Sequence, residues 1–90
     1  MEAKKMFGGV GYLLRGNMSV GVHKNDLIVR VGEAAYGDAL KKPHARVFDI
    51  TGRVMKGWVM VAPAGVKDNK ILKAWVDLGV KFAASLPPKL

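Results

Sequence analysis

A chain of 90 residues carrying 15 Lys and Arg against 7 Asp and Glu has a formal net charge of +8. That length fits one domain spanning residues 1–90 with one two-layer core, and the charge bears on attraction to polyanions and not on fold. The absence of cysteine excludes disulfides, thiolate metal sites and cysteine nucleophiles, and it suits a reducing compartment, so a cytoplasmic location is expected.

The run from Met6 to Val31 organises the rest. Its apolar segments Met6–Leu14, Met18–His23 and Leu27–Val31 are separated by Arg15-Gly16-Asn17 and Lys24-Asn25-Asp26, which predicts three consecutive antiparallel strands. Gly8, Gly9 and Gly11 interrupt the first segment, where glycine brings no side chain to pack. A helix crossing a bare patch of backbone accounts for them. A phosphate cradle does not, because these glycines lead into Tyr12-Leu13-Leu14, which continues as strand instead of opening a helix. In the next strand Met18, Val20 and Val22 alternate onto one face, and Leu27, Val29 and Val31 repeat the pattern, as expected for a sheet covered on one side.

Glu33–Lys42 predicts a short helix with Ala35, Tyr36, Ala39 and Leu40 inward, Glu33 in the first turn and Lys41-Lys42 in the last. Gly37 weakens it by about 1 kcal/mol, and Pro43 closes it. The chain then reads as extended from Ala45 to Ala62, with Val47-Phe48-Asp49-Ile50, a turn at Thr51-Gly52, and a strand from Arg53. Trp58-Val59-Met60-Val61-Ala62 is apolar on both faces, the mark of a strand inside a sheet. After the break at Pro63-Ala64-Gly65, Asp68 is the expected N-cap of a helix whose stripe includes Ile71, Leu72, Trp75, Val76, Phe82 and Ala83. Gly79 in its middle implies close approach to the sheet, expected at the glycine-rich first strand. The predicted fold is α+β, two layers, with an antiparallel sheet of about five strands in the order β-β-β-α-β-β-α.

Little in the sequence points to chemistry. The seven acids read as turn residues, caps and helix-surface charges, and His23 and His44 lie in different elements without a third ligand at recognisable spacing. Ser19, Thr51 and Ser85 lack an adjacent base and orienting acid. No catalytic, cofactor or metal residue is assigned, and an enzyme is not expected. Trp58 and Trp75 fit core packing better than base-stacking platforms. Arg15, Arg53 and Lys56 sit at turns or strand ends, where partners are met, and are the candidate contact residues. The basic residues pair only at Lys4-Lys5 and Lys41-Lys42, so nucleic-acid binding would require the fold to gather them. No stretch approaches the ~20 apolar residues of a membrane span, and no signal peptide is expected.

Met6-Phe7-Gly8-Gly9-Val10-Gly11, Leu27-Ile28-Val29-Arg30-Val31, Phe48-Asp49-Ile50-Thr51-Gly52-Arg53 and Met55-Lys56-Gly57-Trp58-Val59 running into Ala62-Pro63 resemble the N-terminal domain of the TfoX/Sxy family, from Lys5 to about Pro88. Met6, Phe7, Gly8, Gly9, Gly11, Gly57, Trp58 and Gly79 are then structural residues. The resemblance implies a two-layer α+β unit similar in fold to type III secretion chaperones. Family members usually carry a helix ahead of the Met-Phe-Gly-Gly motif, and only five residues precede it here, so either this sequence is shortened or that helix is absent. Full-length members are associated with bacterial competence regulation alongside the cyclic-AMP receptor protein and carry a second, helical domain, so that role is expected to transfer poorly. The reading is a non-enzymatic regulatory module that meets a protein partner or a second copy through sheet edges and the turns at Arg15 and Arg53. A basic nucleic-acid-binding module and a small-molecule-binding or enzymatic domain are the alternatives.

Overall fold

The computed structural model describes residues 2–6, 9–49 and 52–87. Strands β1 (Glu2–Met6), β2 (Gly9–Leu14), β3 (Asn17–His23) and β4 (Asp26–Arg30) precede helix α1 (Glu33–Leu40), strands β5 (Ala45–Val47) and β6 (Trp58–Val61), a 3-10 turn over Pro63–Val66, and helix α2 (Asn69–Ser85). The strands form one sheet in the order β1-β2-β3-β4-β6-β5, every neighbouring pair antiparallel. Both helices cover one face. The architecture is the expected two-layer α+β fold.

The strand count differs from the expectation. The segment read as one strand from Met6 to Leu14 belongs to two, because Glu2–Met6 pairs along β2 in the register Met6↔Gly9 to Glu2↔Leu13, giving six strands among the described residues and the order β-β-β-β-α-β-β-α. A Glu-Ala-Lys-Lys-Met sequence has no apolar run to signal a strand. At a sheet edge it needs none, and lysines there discourage pairing with another chain. Phe7 and Gly8 of the motif lie outside the described residues. β5 is also shorter than expected and stops at Val47. Beyond it the chain closes on itself through Gly52 N–H to Asp49 O at 3.0 Å and Met55 N–H to Phe48 O at 3.0 Å, so Arg53–Gly57 is not strand.

The turns of the meander hold two residues each, with Leu14 opposite Asn17 and His23 opposite Asp26. Arg15 and Gly16 both have positive φ, 53° and 84°, the type I′ geometry whose twist suits a hairpin.

β3 departs from simple alternation. Tyr12 pairs with Val20 but Leu13 with Met18, so Ser19 is the extra residue of a bulge, and a bulge moves the preceding side chain to the other face. Val20 therefore packs under the helices with Leu27, Val29, Val31, Val59, Val61, Ala39 and Trp75, while Met18 joins Ile28, Phe48 and Met60 on the outer face. The expected shared face of Met18 and Val20 is corrected accordingly. Ser19 itself is fully buried, and its hydroxyl donates to Tyr12 O at 3.0 Å. β6 is two-sided as its composition predicts, with Val59 and Val61 in the helix-side core and Met60 in the outer cluster, against which Trp58 packs.

Helix α2 begins where Asp68 predicts, its carboxylate accepting from Lys70 N–H at 2.8 Å. Gly79 faces the sheet, but not at the glycines of β2. A Cβ built there would lie 2.4 Å from Ser19 O and 2.8 Å from Val20 Cγ1. The bulge presents that carbonyl to the helix, so β3 is the strand on which α2 rests. Gly11 pairs with Gly21 and Gly21 with Ile28, which puts this glycine pair on the outer face, away from α2. Lys41 and Lys42 follow α1 instead of completing its last turn.

Candidate partner-contact surface

Because β3 begins and β4 ends at the same end of the sheet, the antiparallel register gathers residues distant in sequence. The Arg15-Gly16 turn is there. Arg30, the last residue of β4, pairs with Trp58, the first of β6, so the β5–β6 connection carrying Arg53 and Lys56 arrives at that end too. Arg15, Arg53 and Lys56 are all exposed. Asn17, next to the turn, donates from Nδ2 to Pro87 O at 2.8 Å, which ties this corner to the segment following α2.

A residue not singled out in the sequence completes the surface. The Arg30 guanidinium lies over the Trp58 ring at 5.2 Å and over the Phe82 ring at 5.4 Å from the centroids, a cation held between two aromatic faces. Trp58 in turn packs at 5.7 Å and 40° against Phe48. Nothing in the spacing of Arg30, Trp58 and Phe82 could have found this set, because three separate elements supply it.

Gly57 fixes where that surface meets the core. Its φ is 89°, and its carbonyl accepts from both Val31 N–H at 2.8 Å and Gly32 N–H at 3.0 Å, so it clamps the exit of β4 to the entry of β6. A Cβ at this position would sit 3.2 Å from Gly32 C. Gly57→Ala is therefore expected to cost about 1–3 kcal/mol through backbone strain, read as a lower midpoint in urea denaturation.

Gly57 clamps β4 to β6, Trp58 opens β6 and Gly79 lies against β3, and a scan of protein families matches the TfoX N-terminal domain over residues 1–83. The chain belongs to the TfoX N-terminal domain family. Comparison with curated proteins and with solved structures finds no match. In this TfoX N-terminal domain no helix among the described residues is long and apolar enough to cross a membrane. The sequence reading of Trp75 as core holds for the TfoX domain, since that ring is buried. Trp58 is half-buried and serves both the outer cluster and the Arg30 contact.

Proposed function

We propose that this domain is a non-enzymatic, regulatory protein-interaction module, and that Arg15, Arg53 and Lys56 meet a protein partner or a second copy of the chain. The observation that carries the reading is Arg15. It occupies the first position of a type I′ turn with φ 53°, where Asn, Asp or Gly is the usual choice, and a left-handed conformation at such a residue costs about 1–2 kcal/mol. The chain accepts that cost to display a guanidinium at the end of the sheet where Arg53 and Lys56 are also exposed. Strained backbone clusters at functional sites; Lys24 shares the conformation with φ 54°, and it is the company of Arg53 and Lys56 that singles out Arg15. Family membership supports a TfoX-like role, with competence or transcription regulation as its setting.

Arg15→Asn separates the two demands on the turn. It is expected to raise stability by up to about 1 kcal/mol in urea denaturation while weakening the contact. For the contact, a photo-crosslinking residue at position 53 in cells is expected to give an adduct with one protein identified by sequence, or with a second copy, and the adduct should be lost in Arg15→Glu. The same group at position 77, exposed midway along α2, should not give it. No adduct from position 53, together with a strict monomer in light scattering at high concentration, would remove the reading.

A further inference from the structure

The opposite end of the sheet holds a groove of about 470 Å³ between the exit of α1 and the start of α2. Its floor and walls are mainly apolar, built from Trp75, Ile71, Ala74, Pro43 and Ala64. Ile71 is 49% exposed, an apolar side chain left in solvent on a helix whose other large apolar residues are at least half-buried. Lysines stand on the rim. Lys42 Nζ lies 4.9 Å above the Trp75 ring centroid, and Lys70 lines the groove from the first turn of α2. No carboxylate is among the lining residues. Exposed Lys41, Lys67 and Lys73 adjoin in sequence, while Asp68 accepts the Lys70 amide as the helix cap.

His44, which lines the same groove, has φ 64°, a conformation uncommon for a residue with a side chain. Its Cβ is against Gly65, where an added Cβ would lie 2.7 Å away, and its carbonyl accepts from Ala62 N–H at 3.0 Å. The loop is thereby pinned to the end of β6, and the groove is preformed.

We propose that this groove docks an acidic peptide segment of a protein partner, with a large apolar side chain seated against the exposed Ile71 and Ala74 beside Trp75 and flanking carboxylates on Lys42 and Lys70. The charge of the rim selects the sign of the partner, and the apolar floor selects a side chain over a phosphate backbone. Burying Ile71 supplies the hydrophobic part of the affinity, while the lysines steer association and fix the register. A polyanion would use the lysines and leave Ile71 untouched. The groove lies at the far end of the sheet from Arg15 and Lys56, so its fate and that of the contact surface above are separable.

The probe is a short fluorescein-labelled peptide of glutamates around a central Leu-Phe pair, titrated against the intact domain by anisotropy and mapped by NMR. Saturable binding is expected, with resonance shifts concentrated at Ile71, His44 and the Trp75 indole. Lys42→Glu with Lys70→Glu should weaken it by about tenfold or more, the effect of two reversed surface charges. Ile71→Ser, a change at an exposed position that leaves the core intact, should weaken it by about tenfold as well. Arg15→Glu should leave it unchanged. Absence of binding would overturn the proposal. So would equal binding of a control peptide with Ser-Ser in place of Leu-Phe, or of a single-stranded oligonucleotide whose affinity depends on Lys42 and Lys70 but not on Ile71.

Discussion

Gly79→Leu is expected to remove a large share of the stability of this domain, and Gly79→Ala to lower it by less. On propensity alone the alanine should help, since it gains about 1 kcal/mol over glycine inside a helix. The geometry opposes this, because the new Cβ would lie 2.4 Å from the Ser19 carbonyl oxygen. That atom belongs to backbone in a buried bulge and not to the tip of a flexible side chain, so α2 itself must move off β3. Overpacking of this kind costs about 1–3 kcal/mol and sometimes more, enough to reverse the propensity gain for alanine. For leucine, whose further carbons have no room, a loss of about 3 kcal/mol or more is expected out of a total of about 5–15. Urea denaturation followed by circular dichroism measures both. An alanine variant as stable as the parent would show that the helix does not rest on Ser19.

Phe48→Ala is expected to cost about 3–5 kcal/mol, the range for a fully buried aromatic cut to a methyl. Phe48 is 0% exposed although it lies beyond the end of β5. Its ring fills the outer face with Met18, Ile28 and Met60 and packs against Trp58, so its removal leaves a cavity that no helix is positioned to fill. The measurement is the shift in denaturation midpoint, paired with tryptophan fluorescence to report Trp58. A loss below about 1 kcal/mol would fit a surface residue and would contradict the outer cluster.

The sequence was informative where local pattern and tertiary demand coincide. Asp68 as cap, the apolar stripe through Trp75 and Ala83, and the two-sided strand at Trp58–Val61 were legible because burial dictates each residue type. Strand β1 was not, since an edge strand of Glu-Ala-Lys-Lys-Met is held by backbone bonds that carry no side-chain signature. The bulge was invisible for a different reason. Ser19 looks like the polar residue of a regular alternation, and only the pairing with Tyr12 and Leu13 reveals the extra residue. Gly79 was correctly read as a point of close approach but assigned to the wrong strand, because the carbonyl it meets is offered by that bulge. Of the surfaces, the turn residues Arg15, Arg53 and Lys56 were visible as exposed positions. The Arg30 clasp and the groove between Lys42 and Lys70 were not, as each is assembled from elements far apart along the chain.

Strand β6 alternates between two clusters, sending Val59 and Val61 to one side and Trp58 and Met60 to the other. A small satellite core is ordinarily a place where a protein opens by itself, at a fraction of the global free energy. Here the satellite cannot melt without pulling at the strand whose Val59 and Val61 anchor the main body, and the carbonyl of Gly57 fastens that strand to its neighbour. Heat should therefore release both layers in one step, and the amide protons of β6 should be among the slowest in the chain to exchange.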